Sequence, residues 1–257
     1  MKKVAKKAPL KLPKNQGWRL VCSILLMCAW VLAAVIASQF VVGYLLMWCI
    51  GKEALAQPMW SAIFSALSYV LALVLIIVVP MKLFKKWHIT RKDLGLNSLP
   101  TWTDIGLAPI GFIVSSVLAG MLVWIFTMFP WFNAEEVQDV GFSVLVNPFD
   151  RIIAFVTLVV LAPIAEEVIF RGWLYGLVRK KTSLAMSSAW SMVVSSLIVS
   201  LMFGLVHFQW NVAVNVFAMS LVLCAMREIT GTIYSGIIMH MIKNGVAFWL
   251  LYVVGIH

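Results

Sequence analysis

Long apolar runs separated by short polar stretches dominate the chain, and several exceed the roughly 18 residues that a helix needs to cross a bilayer. Membrane spans are predicted at about 18–50, 60–84, 105–129, 152–178, 184–207, 211–226 and 232–254. Seven is the expected count, with eight as the alternative. The first run is longer than a hydrocarbon layer of about 30 Å requires, so it is expected either to tilt or to continue into an interfacial turn near Gly43. The fold class that follows is all-α, a polytopic transmembrane helix bundle.

Composition agrees with that pattern. Of the 257 residues, 63% are hydrophobic and 12% charged, and the mean hydropathy is +0.99. A water-soluble domain of this size carries roughly twice that charged fraction, so the lipid bilayer is the expected partner of most of the surface. No repeat of 20–50 residues and no low-complexity segment stands out, which predicts a basic tail at 1–17 and a single transmembrane domain at 18–257. The run that follows the tail is too long for a signal-peptide core, so it is read as a retained first helix.

The formal charge of +10 sits in the tail (Lys2, Lys3, Lys6, Lys7), in the 82–92 loop and in Arg179-Lys180-Lys181, all beside apolar spans. Positive-inside placement explains this better than a nucleic-acid partner, and none is expected. These basic segments are assigned to the cytoplasmic side of the cell (plasma) membrane, with the N-terminus inside and Glu135, Glu136 and Asp139 outside. Trp48, Trp60, Trp87, Trp102, Trp131 and Trp210 fall near span ends, where an indole sits in the headgroup layer. Cys22, Cys28, Cys49 and Cys224 form no CxxC and lie in or beside apolar runs, as small core hydrophobes do.

Against this background a few polar residues demand a reason. Of ten acidic residues, eight fall in loops or at span edges, whereas Glu166 and Glu167 lie inside the apolar run 158–170. An ionised carboxylate there costs at least a few kcal/mol. Arg171 follows Glu167 by four residues and shares its helix face, so those two can form a nearly neutral pair. Glu166 is rotated about 100° away and is left over, a candidate general base.

His88 and His257 are ordinary by position, in a basic loop and at the end of the chain. His207 and His240 belong to apolar spans, and Asn244 follows His240 by four residues on the same face. Such a face either offers donors to a developing oxyanion or clamps two helices together. No GxSxG or HExxH is present, so a serine nucleophile is not supported and no metal or other cofactor is expected; two histidines and a glutamate assembled in space into a zinc site remain the alternative.

Glu166-Glu167-x-x-x-Arg171, Phe203-x-x-x-His207 and His240-x-x-x-Asn244, in this order, resemble the CPBP family of intramembrane proteases, also called the CAAX protease and bacteriocin-processing or Abi family. Phe170-Arg171-Gly172 is similar to the family as well, and Asp93-Leu-Gly-Leu96 less specifically so. The motif-bearing region is about 152–254. The resemblance implies a glutamic-type endopeptidase with its site in an intramembrane cavity. Glu166 and His207 would activate water, His240 and Asn244 would stabilise the oxyanion, and Glu167 and Arg171 would organise the site. A membrane-associated peptide or protein is then the substrate. The competing readings are a proton- or cation-coupled transporter and a non-catalytic scaffold or immunity protein of the same fold. Spacing alone also predicts a mismatch in depth, because His207 lies near a span end whereas Glu166 lies about 13 residues, or ~20 Å, from its basic loop. A later start to the histidine's helix, near Ser187, would remove it.

Overall fold

A computed structural model describes residues 14–83, 87, 89–136, 145 and 147–255; the basic tail, His88, Asp139 and His257 lie outside the described residues. Among the described residues seven helices are long and apolar enough to cross a membrane: α1 (Lys14–Ile50), α2 (Pro58–Leu83), α3 (Trp102–Phe126), α4 (Pro148–Thr182), α5 (Ser188–Leu205), α6 (Trp210–Thr230) and α7 (Tyr234–Val254). No strand occurs among the described residues. The described residues form an all-α bundle with seven candidate spans, and each agrees with its predicted boundaries to within a few residues.

The first helix has 37 residues, about 55 Å of rise, and passes unbroken through Gly43. The expected turn comes instead at Gly51, whose φ of +81° suits a residue without a Cβ. Pro58 then opens α2 at a position where its missing N–H costs nothing.

The central element is α4, which packs against α2, α5, α6 and α7, while α3 closes against α6 and α7 and α1 lies on α2. Side chains such as Phe40, Tyr44, Ile113, Trp124 and Leu201 face outward and exposed, as a lipid-facing surface requires. Inside, Trp173, Phe203, Leu223 and Met239 belong to one core. Trp87 departs from expectation. It is buried, with its ring 6.2 Å from Trp30 and 5.8 Å from Trp173, and forms no part of a headgroup belt.

Successive loops alternate between two ends of the bundle. At one end Arg179 pairs with Glu228 at 3.0 Å and Arg227 donates to the Asp93 carbonyl at 3.0 Å. At the other, Phe126, Phe129, Trp131, Phe132 and Trp210 form an aromatic cluster, and Asn211 donates to the Glu136 carbonyl at 2.6 Å.

At the basic end, Asp93-Leu-Gly-Leu96 acts as a clamp. Thr90 and Asp93 close a capping box around the short helix Arg91–Leu94, and Gly95 turns the chain at φ +75°. Partial burial pushes the Asp93 carboxyl up, but the Thr90 hydrogen bonds and the Lys180 and Lys92 charges outweigh it and hold the group below its ordinary value. A depressed carboxylate contributes its stability above its unfolded-state pKa, so this contribution is lost as pH falls through the folded one. The clamp rests on α4 where Gly176 has no side chain: a Cβ there would lie 2.7 Å from the Asp93 carbonyl oxygen. Gly176→Ala is expected to destabilise the fold by about 1–3 kcal/mol in detergent unfolding. Gly106→Ala, on the exposed face of α3 with nothing within 4 Å, should be neutral or slightly stabilising.

Candidate active site

Half-way along α4 the helix changes register. It is π-helical over Val156–Leu161, α-helical over Ala162–Glu167 and π-helical again over Val168–Leu174. The first π stretch ends where its next donor, to the Leu158 carbonyl, would be residue 163. That residue is proline and has no N–H. Asn244 of α7 uses the freed acceptor, donating from Nδ2 to the Leu158 carbonyl at 2.9 Å. Pro163 therefore leaves α4 continuous and creates a docking point for α7.

Glu167 points into the protein and is fully buried. Its Oε1 accepts from Arg171 Nη1 at 2.9 Å and from His240 Nδ1 at 3.2 Å. The fully buried Arg171 guanidinium also stands 4.3 Å from the centroid of the Phe203 ring. Room for the carboxylate comes from Gly236, where an added Cβ would lie 2.8 Å from Glu167 Oε2. Glu166 diverges from this cluster, as one residue's rotation demands. Its Oε1 accepts from the Tyr69 hydroxyl at 2.7 Å, and its Oε2 lies 3.8 Å from His240 Nε2. No contact joins Glu166 to Arg171 among the described residues.

His207 sits just beyond the end of α5, in the reversal that leads to α6. The next residue, Phe208, has φ +53°, an uncommon conformation for a bulky side chain and one that stores strain beside the histidine. His207 Nδ1 lies 2.7 Å from the Phe203 carbonyl. A carbonyl only accepts, so Nδ1 carries the hydrogen and the neutral ring keeps its lone pair on Nε2. His240, whose Nδ1 faces the Glu167 carboxylate, turns Nε2 toward Glu166. Phe203 holds both rings, with centroids 5.0 Å from His207 and 6.0 Å from His240, and is itself backed by Phe170 at 4.9 Å.

Glu166, His207, His240 and Asn244 all line one cavity of about 350 Å³. A second cavity of about 170 Å³ shares Glu166, His207, Tyr69, Ser65 and Gln39 with it. Polar walls and this volume admit several waters. Glu167 and Arg171 stand behind the cavity and reach it through His240. The anticipated depth mismatch is absent, because α5 starts at Ser188 and has only 18 residues, while the 35 residues of α4 put Glu166 near its centre.

Tyr69 and Gly236 escape sequence reasoning. A signal for Tyr69 exists: Ser61, Ser65 and Tyr69 repeat every four residues along the largely apolar α2, a polar stripe on one helix face. Gly236 gives no such signal, since its role is only the room it leaves. Tyr69→Phe removes one hydrogen bond to Glu166 and keeps the ring, so a loss of about tenfold in turnover is expected with a stability loss of only about 1 kcal/mol. Turnover kinetics and thermal unfolding of the purified variant check both halves. Among the described residues, no three His, Cys, Asp or Glu side chains group at metal-binding spacing.

Residues 148–246 match the model of the family described as Rce1-like, type II CAAX prenyl endopeptidase Rce1-like. The matched stretch contains Glu166, Glu167, Arg171, His207, His240 and Asn244. No curated protein and no solved structure matches the chain.

Proposed function

We propose that this protein is an intramembrane endopeptidase that hydrolyses a peptide bond of a membrane-associated peptide or protein. The observation that carries the reading is the convergence, on one cavity, of a carboxylate, two imidazoles and a carboxamide from α4, the turn after α5, and α7. The match over 148–246 to a family described as an endopeptidase supports the same reaction class.

In this reading Glu166 is the general base. Tyr69 fixes one carboxylate oxygen and leaves the other to take a proton from water. His207 Nε2 holds the same water. Its oxygen bonds to the scissile carbonyl carbon, and the oxyanion that forms is met by His240 and Asn244. Asn244 has a second N–H beyond the one given to Leu158. With its Nδ1–H directed at Glu167, His240 donates from Nε2 as an imidazolium, with the Glu166 and Glu167 carboxylates beside that charge. The C–N bond then breaks as the proton held by Glu166 passes to the leaving amine, directly or through His207. Glu167 and Arg171 are positioning residues that orient His240. By the positive-inside rule, the end bearing Arg91, Lys92, Arg179 and Arg227 faces the cytoplasm of the cell membrane.

The test uses purified protein in detergent micelles with a library of apolar peptides, cleavage being read by mass spectrometry. Cleavage by wild type and its loss in His207→Ala support the assignment. Release of no fragment by wild-type protein across the library would sink it. Cleavage is expected to persist in excess chelator; loss with recovery on adding zinc would show that a metal holds the water.

A further inference from the structure

One charged group in the cavity has no part in that chemistry. Lys243 belongs to α7, three residues after His240 and one before Asn244, so both Lys243 and Asn244 neighbour His240 on the helix surface, on either side of it. It lines the 350 Å³ cavity together with Glu166, His207, His240 and Asn244, and is the only lysine or arginine among the described residues that does. Glu166 and His207 stand on the wall of that same cavity. Yet it forms no hydrogen bond or ion pair with any described residue; the groups near Glu166 are Tyr69 and His240. An ammonium within a membrane span is costly, and snorkelling to an interface is the usual relief. Lys243 instead sits at the catalytic face, about one helical turn from His240, with three N–H donors and no acceptor of its own in contact.

We propose that Lys243 docks a carboxylate of the peptide substrate, beside the bond that is cut. Resting on the peptidase reading, this assigns the cavity a specificity: an anionic group on the peptide, either its free C-terminus or an acidic side chain near it, completes the ammonium's partners. Docking brings the peptide to the catalytic residues in one register, since the ammonium's position on α7 relative to His240 and Asn244 is set by the helix. A neutral peptide of the same shape leaves the ammonium unpaired and binds more weakly.

The test measures binding, so it stands whether or not the probe is cleaved. Acetyl-trileucine as free acid, acetyl-trileucine amide and acetyl-Leu-Leu-Glu amide are titrated into wild-type, Lys243→Met and Lys243→Arg protein in detergent micelles. Wild type is expected to bind the free acid at least about tenfold more tightly than the trileucine amide, the effect of one charge-assisted hydrogen bond. In Lys243→Met the ratio should fall to within about twofold, and Lys243→Arg should restore part of it and control for folding. Tight binding of the Glu-containing amide would identify a side-chain carboxylate as an accepted source, and weak binding would restrict recognition to the C-terminus. Equal wild-type affinity for acid and amides, or an acid preference that survives Lys243→Met, overturns the proposal. A merely electrostatic role toward Glu166 would alter turnover of every substrate alike and leave the acid-to-amide ratio untouched. Failure of the peptidase reading would show in the cleavage assay, independently of this ratio.

Discussion

Glu166→Gln is expected to lower the rate of peptide cleavage about a thousandfold while leaving the protein folded. A glutamine at this position keeps an Oε1 that accepts from the Tyr69 hydroxyl, now 2.7 Å away, and it occupies the same space. What it cannot do is take a proton from water. General-base catalysis supplies roughly 10²- to 10⁴-fold, which sets the scale of the loss. Stability should be nearly unchanged, because Glu166 forms no hydrogen-bonded ion pair: its nearest cationic candidate, His240 Nε2, lies 3.8 Å away. Turnover and thermal unfolding measured on one preparation decide the matter. A variant that retains more than about a tenth of wild-type turnover would remove Glu166 from the mechanism, and a variant that unfolds early would show its role to be structural.

The opposite signature is expected of its neighbour. Arg171→Met leaves the fully buried Glu167 carboxylate without its guanidinium partner, and breaking one side of a buried pair costs about 3–5 kcal/mol. The variant should unfold at markedly lower temperature and be inactive. Glu167→Gln combined with Arg171→Met removes both charges at nearly conserved volume, and most of the lost stability should return. Activity should not return, since His240 Nδ1 then no longer faces a carboxylate, at 3.2 Å in the native protein. Stability regained without activity separates neutralisation from positioning. If the double variant stays as unstable as Arg171→Met, the pair does more than cancel charge, and its contacts with Phe203 and Gly236 become the place to look.

The division between these glutamates was legible in the sequence because it depends only on helix geometry. Residues four apart share a face, and residues one apart do not, whatever surrounds the helix. The pairing of Glu167 with Arg171 and its denial to Glu166 follow from that alone. The partners that complete each carboxylate were less accessible. Tyr69 is 97 residues from Glu166 and His240 is 73 from Glu167, and no local rule links them. The role of Pro163 was also hidden: a proline in an apolar span suggests a broken helix, whereas here a π-helical stretch absorbs it and passes the orphaned carbonyl to Asn244.

Two local readings were redirected by the structure. Trp87 follows a span in sequence, which suggested the headgroup layer, but the Asp93 clamp beyond it turns back over α4, and Trp87 is enclosed between Trp30 and Trp173. Of the two alternatives for the long first run, a tilted helix or a turn near Gly43, the turn is found only at Gly51 and the helix runs on through Gly43. Within a bilayer, backbone groups are satisfied by continuing the helix, so a single glycine does not end one.

By itself the sequence determined the solvent, the helical class, the number of spans and the small set of polar residues too costly to bury without purpose. Each of these depends on composition and on spacing within one helix. Only the tertiary structure decided which of those residues meet. It brings Glu166, His207, His240 and Asn244 to one cavity, sets Glu167 and Arg171 behind it, and adds Tyr69 and Lys243 to its wall. Contacts between helices depend on how bulky and small side chains such as Phe203 and Gly236 interlock, which is a property of surfaces far apart in the chain.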